Sequence, residues 1–171
     1  EVVRALDWGD LVKPVLPRIG LVRADKLERR LIELLGDLEV QELETPFAAV
    51  TVDLTNGVQH VIRSGKLSRA VRASCSIPGI FEPVSYDGMV LVDGGVLNDV
   101  PIDVCQQMGA EVVLGVDLNT DALLGEQPDN IFAVLTASFN VMVRNCRVVH
   151  AKNPDVVTVS PDLNGFSYPI I

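Results

Sequence analysis

The stretch that most restricts how this chain folds is Met89-Val90-Leu91-Val92-Asp93-Gly94-Gly95 and its continuation to Pro101. An apolar run, Met89 to Val92, ends on an aspartate and then on two glycines. Runs of this kind read as buried strands, and Gly-Gly lets the backbone turn sharply where a side chain would clash. Open α/β folds place their chemistry at the carboxyl end of a strand, beside such backbone. A carboxylate held there is positioned to take a proton from a nucleophile. The plain alternative is an aspartate acting as a solvated cap of a strand-turn-helix.

The remaining sequence supplies alternating elements. Ala24 to Leu35 reads as a helix, with Leu27, Leu31, Ile32 and Leu35 on one face, Lys26, Arg29, Arg30 and Glu33 opposite, and Gly36 as its stop. Pro14 and Pro17 break whatever precedes it. Phe47 to Leu54 reads as a buried strand joined through Thr55-Asn56-Gly57 to a second, Val58 to Arg63. Asn-Gly between two such runs signals a hairpin, because both residues accept positive φ. Asp53-Leu54-Thr55-Asn56-Gly57 does not keep the spacing of a calcium loop and lacks its distal glutamate, so it reads as a turn.

Leu67 to Ser74 reads as a short helix closed by Ile77-Pro78-Gly79, and Val84 to Val90 as a hairpin with Asp87-Gly88 at its tip. The second arm of that hairpin delivers Asp93. Pro101 suits the first turn of a helix running to Met108 and capped by Gly109. Val112 to Val116 reads as another buried strand, Asp129 as the cap of a helix from Asn130 to about Val149, and Val156 to Val159 as a last strand. Phe132, Leu135, Phe139 and Met142 form the stripe of that long helix. Alternating strands and helices indicate an α/β sheet with helices on its faces. With no internal repeat and no low-complexity linker, residues 1–171 read as one domain or part of one.

Hydrophobic content of 48% argues against disorder, as does a mean hydropathy of +0.31. Charge is uneven: residues 1–72 hold 11 basic and 11 acidic side chains, and residues 73–171 hold 3 and 12. Such an acidic chain with 5% aromatics lacks the basic patches and stacking rings that nucleic-acid binding needs, and anionic lipid would not attract it electrostatically. Peripheral contact with a membrane would rest on apolar surface. No run approaches the roughly 18 apolar residues of a membrane span; Ile131 to Val143 is shorter and contains Asn140. Glu1-Val2-Val3-Arg4 does not read as a signal peptide. Cys75, Cys105 and Cys146 are widely spaced, with no C-x-x-C, and read as buried small hydrophobes in a reducing compartment.

Three segments in order carry a specific resemblance. Gly65-Lys66-Leu67-Ser68-Arg69-Ala70-Val71-Arg72-Ala73-Ser74-Cys75-Ser76-Ile77-Pro78-Gly79-Ile80-Phe81-Glu82-Pro83-Val84 is followed by Asp93-Gly94-Gly95 and then by Gly109-Ala110-Glu111-Val112-Val113. From about Asp7 to about Pro161 the chain resembles the patatin-like phospholipases, lipid acyl hydrolases that use a Ser/Asp dyad. The resemblance implies an α/β patatin-like sheet flanked by helices and makes Asp93 the dyad aspartate, with Gly94 and Gly95 supporting it. It implies a lipid or acyl-ester substrate, a cytoplasmic location, and no cofactor or metal. The family's glycine-rich oxyanion loop and G-x-S-x-G elbow do not occur in the sequence: no serine has glycine at both −2 and +2. Gly165-Phe166-Ser167-Tyr168-Pro169 comes nearest, but it ends in proline and follows Asp93. The expectation is therefore a partial patatin-like domain without its N-terminal strands and nucleophile, inactive by itself. The competing expectation is a non-catalytic binding or regulatory module derived from a hydrolase.

The other polar residues read as structural. His60 falls inside a hairpin strand and His150 at the end of the long helix, neither at a glycine-flanked strand end. A free aspartate is a weak base, so Asp93 needs a partly desolvated site, which Val90, Leu91 and Val92 are expected to supply. The glycines are expected to leave room for the nucleophile strand and substrate. Asp99 reads as a cap or dipole partner of the helix beginning at Pro101, and Asp117 as a structural strand end. The hydroxyls of Ser74 and Ser76 read as satisfying turn backbone.

Overall fold

The chain forms a mixed α/β structure around antiparallel strands flanked by helices, seen in a computed structural model that describes residues 13–14, 22–23, 25–118, 127–145 and 155–161. The chain divides into two compact units, Glu1–Leu97 and Asn98–Ile171.

In the first unit a short antiparallel pair, β1 (Lys13–Pro14) and β2 (Val22–Arg23), precedes helix α1 (Asp25–Leu35). Strands β3 (Ala49–Asp53) and β4 (Val58–Ile62) form one hairpin, helix α2 (Leu67–Ser74) follows, and β5 (Val84–Tyr86) and β6 (Met89–Asp93) form a second hairpin. The four strands make one sheet in the order β4-β3-β6-β5, antiparallel throughout. All five residues of β3 are buried, as expected of a central strand paired on both sides, and the polar two, Thr51 and Asp53, have hydrogen-bond partners. Cross-strand pairing puts Thr51 opposite both His60 and Asp93, and Leu91 opposite both Asp53 and Val84. Directly opposed residues share a face. Ala49, Ile62, Val84 and Leu91 on that face pack with Leu67, Ala70 and Ala73 of α2 and with Val40 into the core. Complete burial of Leu91 contributes roughly 1.5–3 kcal/mol, and the alanines of α2 let the helix backbone lie close to the strands.

Helix α1 is tied to α2 by charge as well as packing. The Arg72 guanidinium lies 3.0 Å from Glu28 and 3.4 Å from Asp25, and Leu27 packs with Ile77 and Ile80 around Phe81. The apolar stripe of α1 is only partly covered, since Leu35 keeps 51% of its surface exposed. Gly36 stops the helix at φ +88°, its N–H on the Ile32 carbonyl.

The two hairpins close differently. Asp87 and Gly88 both have positive φ, 47° and 81°, the two-residue geometry that matches strand twist. The Asn56-Gly57 turn departs from the expectation that both its residues would be left-handed: only Gly57 is (φ 68°), and four residues separate the paired Asp53 and Val58. Asp53 itself holds this wider loop. Its carboxylate accepts the Thr55 N–H at 2.9 Å and the Asn56 amide at 2.6 Å, while its carbonyl accepts the Gly57 N–H at 2.8 Å.

In the second unit, helix α3 (Ile102–Gln107) buries Ile102 and Val104, and Gly109 ends it at φ +94°. Pro101 occupies the N-cap position rather than the first helical one, and the first turn carries Asp103, whose carboxylate accepts the Asn98 amide at 2.8 Å. Strands β7 (Val113–Val116) and β8 (Val156–Val159) pair in parallel. The expectation of a fully buried β7 is corrected: Val113 and Gly115 are buried, while Leu114 and Val116 are exposed, because a strand with one covered face alternates. Helix α4 (Ile131–Asn145) is capped by Asn130, whose side-chain oxygen accepts the Ala133 N–H at 2.9 Å. Asp129, expected as the cap, instead accepts the Asn130 amide. The Phe132 side chain and residues 146–149 lie outside the described residues.

Asp53 makes stability depend on pH. Burial by itself would raise its pKa, but hydrogen bonds from Thr55, Asn56 and Val90 outweigh burial and hold the carboxyl below the usual range. A depressed folded pKa contributes stability above the unfolded value of about 4 that is lost as pH falls through the folded value. The stability difference between wild type and Asp53→Asn, read from urea unfolding, is therefore expected to shrink between pH 6 and pH 3; a difference that stays constant with pH would contradict this account.

Candidate active site

Asp93 is the last residue of β6, half-buried, and the chain leaves the sheet there through a 3-10 turn at Gly94–Val96. Its backbone is fixed on both sides. Thr51 of β3 is its partner in the sheet, and its N–H donates to the Ser76 carbonyl at 2.9 Å. Its carboxylate accepts the Gly95 N–H at 2.8 Å. The second glycine thus supplies a donor for the ionised carboxylate, a bond that favours the charged form.

The first glycine is required for a different reason. Gly94 is not in the left-handed region, yet a Cβ there would overlap the Val50 carbonyl oxygen and sit 2.7 Å from the carbonyl carbon. The position that a side chain at residue 94 would take is therefore occupied by strand β3. The apolar surroundings of Asp93 differ from expectation. Strand alternation puts Val90 and Val92 on the opposite face, and Val90 is 38% exposed. Of the three, only Leu91 shares the face of Asp93.

The segment after α2 borders the site. Ser74 donates its hydroxyl to the Val50 carbonyl at 2.8 Å, and Ser76, fully buried, donates to the Arg72 carbonyl at 2.9 Å. Both hydroxyls thus serve backbone, as their sequence context indicates. Cys105 is exposed, which corrects the expectation of a buried residue; Cys75, between the two serines, also keeps exposed surface, and Cys146 lies outside the described residues. Cys75 follows the last turn of a helix whose buried side is already taken by Leu67, Ala70 and Ala73. Although the residue retains exposed surface, burial of the sulphur raises the thiol's pKa, and the negative charge of Asp93 adds to the rise. Cys75 thus lacks the lowered pKa that marks a reactive thiolate.

His60 shares a sheet row with Asp93 through Thr51, two strand spacings away, or about 10 Å. Its ring lies 6.4 Å from that of Tyr86. His150 and Ser167 lie outside the described residues, and Asp117 directly follows β7, with its N–H on the Val159 carbonyl. Among the described residues no cluster of histidine, cysteine and carboxylate side chains has the arrangement of a metal site. The residue that sequence reasoning passed over is Val50, and for Ser74 it indicated a backbone partner without indicating which one. Val50 and Ser74 meet the Asp-Gly-Gly turn only across strands, so their spacing carries no signal.

This arrangement, a strand-end aspartate whose two glycines seat the backbone and bond the carboxylate, coincides with a family match. Residues 4–105 match the family described as patatin-like phospholipase. The chain belongs to the patatin-like phospholipase family. Relatives include an NTE family protein of Mycobacterium tuberculosis (strain ATCC 25618 / H37Rv), 33% identical over 109 residues, 64% of this chain and 30% of that protein. Patatin-like phospholipase domain-containing protein 7 of Rattus norvegicus is 32% identical over 128 residues, 69% of this chain and 10% of that protein. The corresponding protein 6 of Homo sapiens is 31% identical over 127 residues, 68% of this chain and 9% of that protein. The patatin-like chain thus spans less than a third of the length of these relatives.

Two outcomes follow from this geometry. Gly94→Ala is expected to lower stability by about 1–3 kcal/mol in urea unfolding, because its methyl group meets strand backbone that cannot rotate away. The rate of Cys75 alkylation is expected to rise with a midpoint above the ordinary thiol value of about 8.5. Asp93→Asn should bring that midpoint down; an unchanged midpoint would mean that the carboxylate does not act on the thiol.

Proposed function

We propose that this chain is part of a patatin-like lipid acyl hydrolase in which Asp93 is the base of a Ser/Asp dyad and the serine comes from residues outside this sequence. The observation that carries the reading is the Asp-Gly-Gly turn: a half-buried strand-end carboxylate, bonded by Gly95 and bordered by backbone that only glycine at 94 permits. Family membership supports an ester hydrolase. We treat the 171 residues as one partial domain, because the family match at 4–105 runs across the boundary between the two units.

In the first step the serine hydroxyl attacks the acyl carbonyl carbon while its proton passes to Asp93. The tetrahedral intermediate collapses, and the alcohol leaves with the proton from Asp93. In the second step water gives a proton to Asp93 and attacks the acyl-enzyme; serine leaves, recovers its proton, and the fatty acid is released. Base and nucleophile are both side chains, so the dyad itself requires no metal or cofactor. The substrate is a lipid or other acyl ester. No helix among the described residues is long and apolar enough to cross a membrane, and contact with lipid is peripheral, in a cytoplasmic setting that suits the free thiols.

The test is intact mass after fluorophosphonate treatment of this chain and of a form extended through its native upstream codons. One adduct on the extended form and none on this chain is expected. In the extended form Asp93→Asn should lower ester turnover about 10²–10⁴-fold, the usual contribution of a general base. Absence of an adduct on both would overturn the hydrolase reading in favour of a non-catalytic binding module.

A further inference from the structure

We propose that Ser74 is a positioning residue for Asp93: its hydroxyl holds the Val50 carbonyl, which seats Gly94 and thereby aims the Gly95 N–H at the Asp93 carboxylate. The proposal rests on the reading of Asp93 as the base, and its geometry is independent of any substrate. A serine at a helix end ordinarily bonds back to a carbonyl one turn earlier. Ser76 does so, onto Arg72. Ser74, the last residue of α2, instead leaves its own helix for a strand carbonyl 24 residues away in sequence.

That carbonyl lies where the sheet runs out. The β3–β6 register ends at the pair Thr51 and Asp93, one residue short of Val50. The Val50 oxygen takes the Ser74 hydroxyl at 2.8 Å. It is also the oxygen that a side chain at 94 would overlap. One atom is thus shared between the helix end and the first glycine of the Asp-Gly-Gly turn. Two residues further on, the Ser76 carbonyl accepts the Asp93 N–H at 2.9 Å. Segment 74–76 therefore holds two neighbouring strands, β3 at the Val50 carbonyl and β6 at the Asp93 N–H, and the Gly95 N–H to Asp93 carboxylate bond of 2.8 Å is built on that support. Removing the hydroxyl leaves the Val50 carbonyl without this donor and frees the turn to shift.

The experiment uses the isotopically labelled 171-residue chain as wild type, Ser74→Ala, Ser74→Thr and Leu67→Ala. Amide hydrogen exchange at Gly95 and the titration of the Asp93 carboxyl are followed by NMR. In Ser74→Ala, exchange at Gly95 is expected to speed about tenfold more than at Val52 in the middle of β3, as loss of one supporting bond opens the turn locally. The Asp93 titration should move upward as its ionised form loses a donor. Ser74→Thr, which keeps a hydroxyl, should restore both. Leu67→Ala, a core substitution on the same helix, should weaken the fold generally and leave the Asp93 titration in place. Unchanged Gly95 exchange and Asp93 titration in Ser74→Ala, or no recovery in Ser74→Thr, would overturn the proposal. Fluorophosphonate labelling separates the two readings: an adduct with unmoved NMR signals keeps the catalytic reading and removes positioning, and moved signals without an adduct do the reverse.

Discussion

The close approach of the Val50 carbonyl to Gly94 is the constraint on which the rest of the site depends. Strand β3 is held on both sides by ladders to β4 and β6, so its backbone cannot retreat from a neighbour. The end of β6 comes into backbone contact with it only because residue 94 has no side chain. Everything that defines Asp93 follows from that contact. Its pairing with Thr51, its N–H on Ser76 and the Gly95 N–H on its carboxylate all require the chain to leave the sheet at this point and in this direction.

The sheet face covered by α2 carries two carboxylates, Asp53 and Asp93, with different surroundings. Asp53 is fully buried and takes donors from its own turn, Thr55 and Asn56, and from Val90 of β6. Those bonds hold it ionised and commit it to closing a hairpin. Asp93 is half-buried at a chain exit, bonded by Gly95 and close enough to Cys75 to raise that thiol's pKa. A carboxylate destined for proton transfer has to be held in place at the reacting centre, and the Gly95 N–H restrains Asp93 at the strand end.

Local chemistry was legible where a few adjacent residues decide the conformation. The turn at Asp87-Gly88 is the clearest case: two residues that tolerate positive φ, set between two short apolar runs, formed the expected hairpin and delivered Asp93 to a strand end. Helix α2 has the bounds its pattern indicates, Leu67 to Ser74. Asn56-Gly57 carries the same signal but formed a four-residue loop, because the Asp53 carboxylate offered the backbone a competing set of bonds. Asn130 rather than Asp129 capped α4, a shift of one residue between two good capping side chains. The exposure of Cys105 and of alternate residues in β7 was not legible, since burial depends on which side of each element its neighbours cover.

The sequence by itself determined the order of strands and helices, the family, and the aspartate at the end of β6, because turn chemistry, periodicity and an ordered set of motifs are properties of neighbouring residues. Only the tertiary structure decided why Gly94 must be glycine, what Ser74 bonds to, and which apolar residues share a face with Asp93. Those relations join Val50, Ser74 and Gly94, which lie 20 to 44 residues apart in sequence. Sheet register sets them by bringing backbone atoms together, and no residue type announces in advance which carbonyl it will meet.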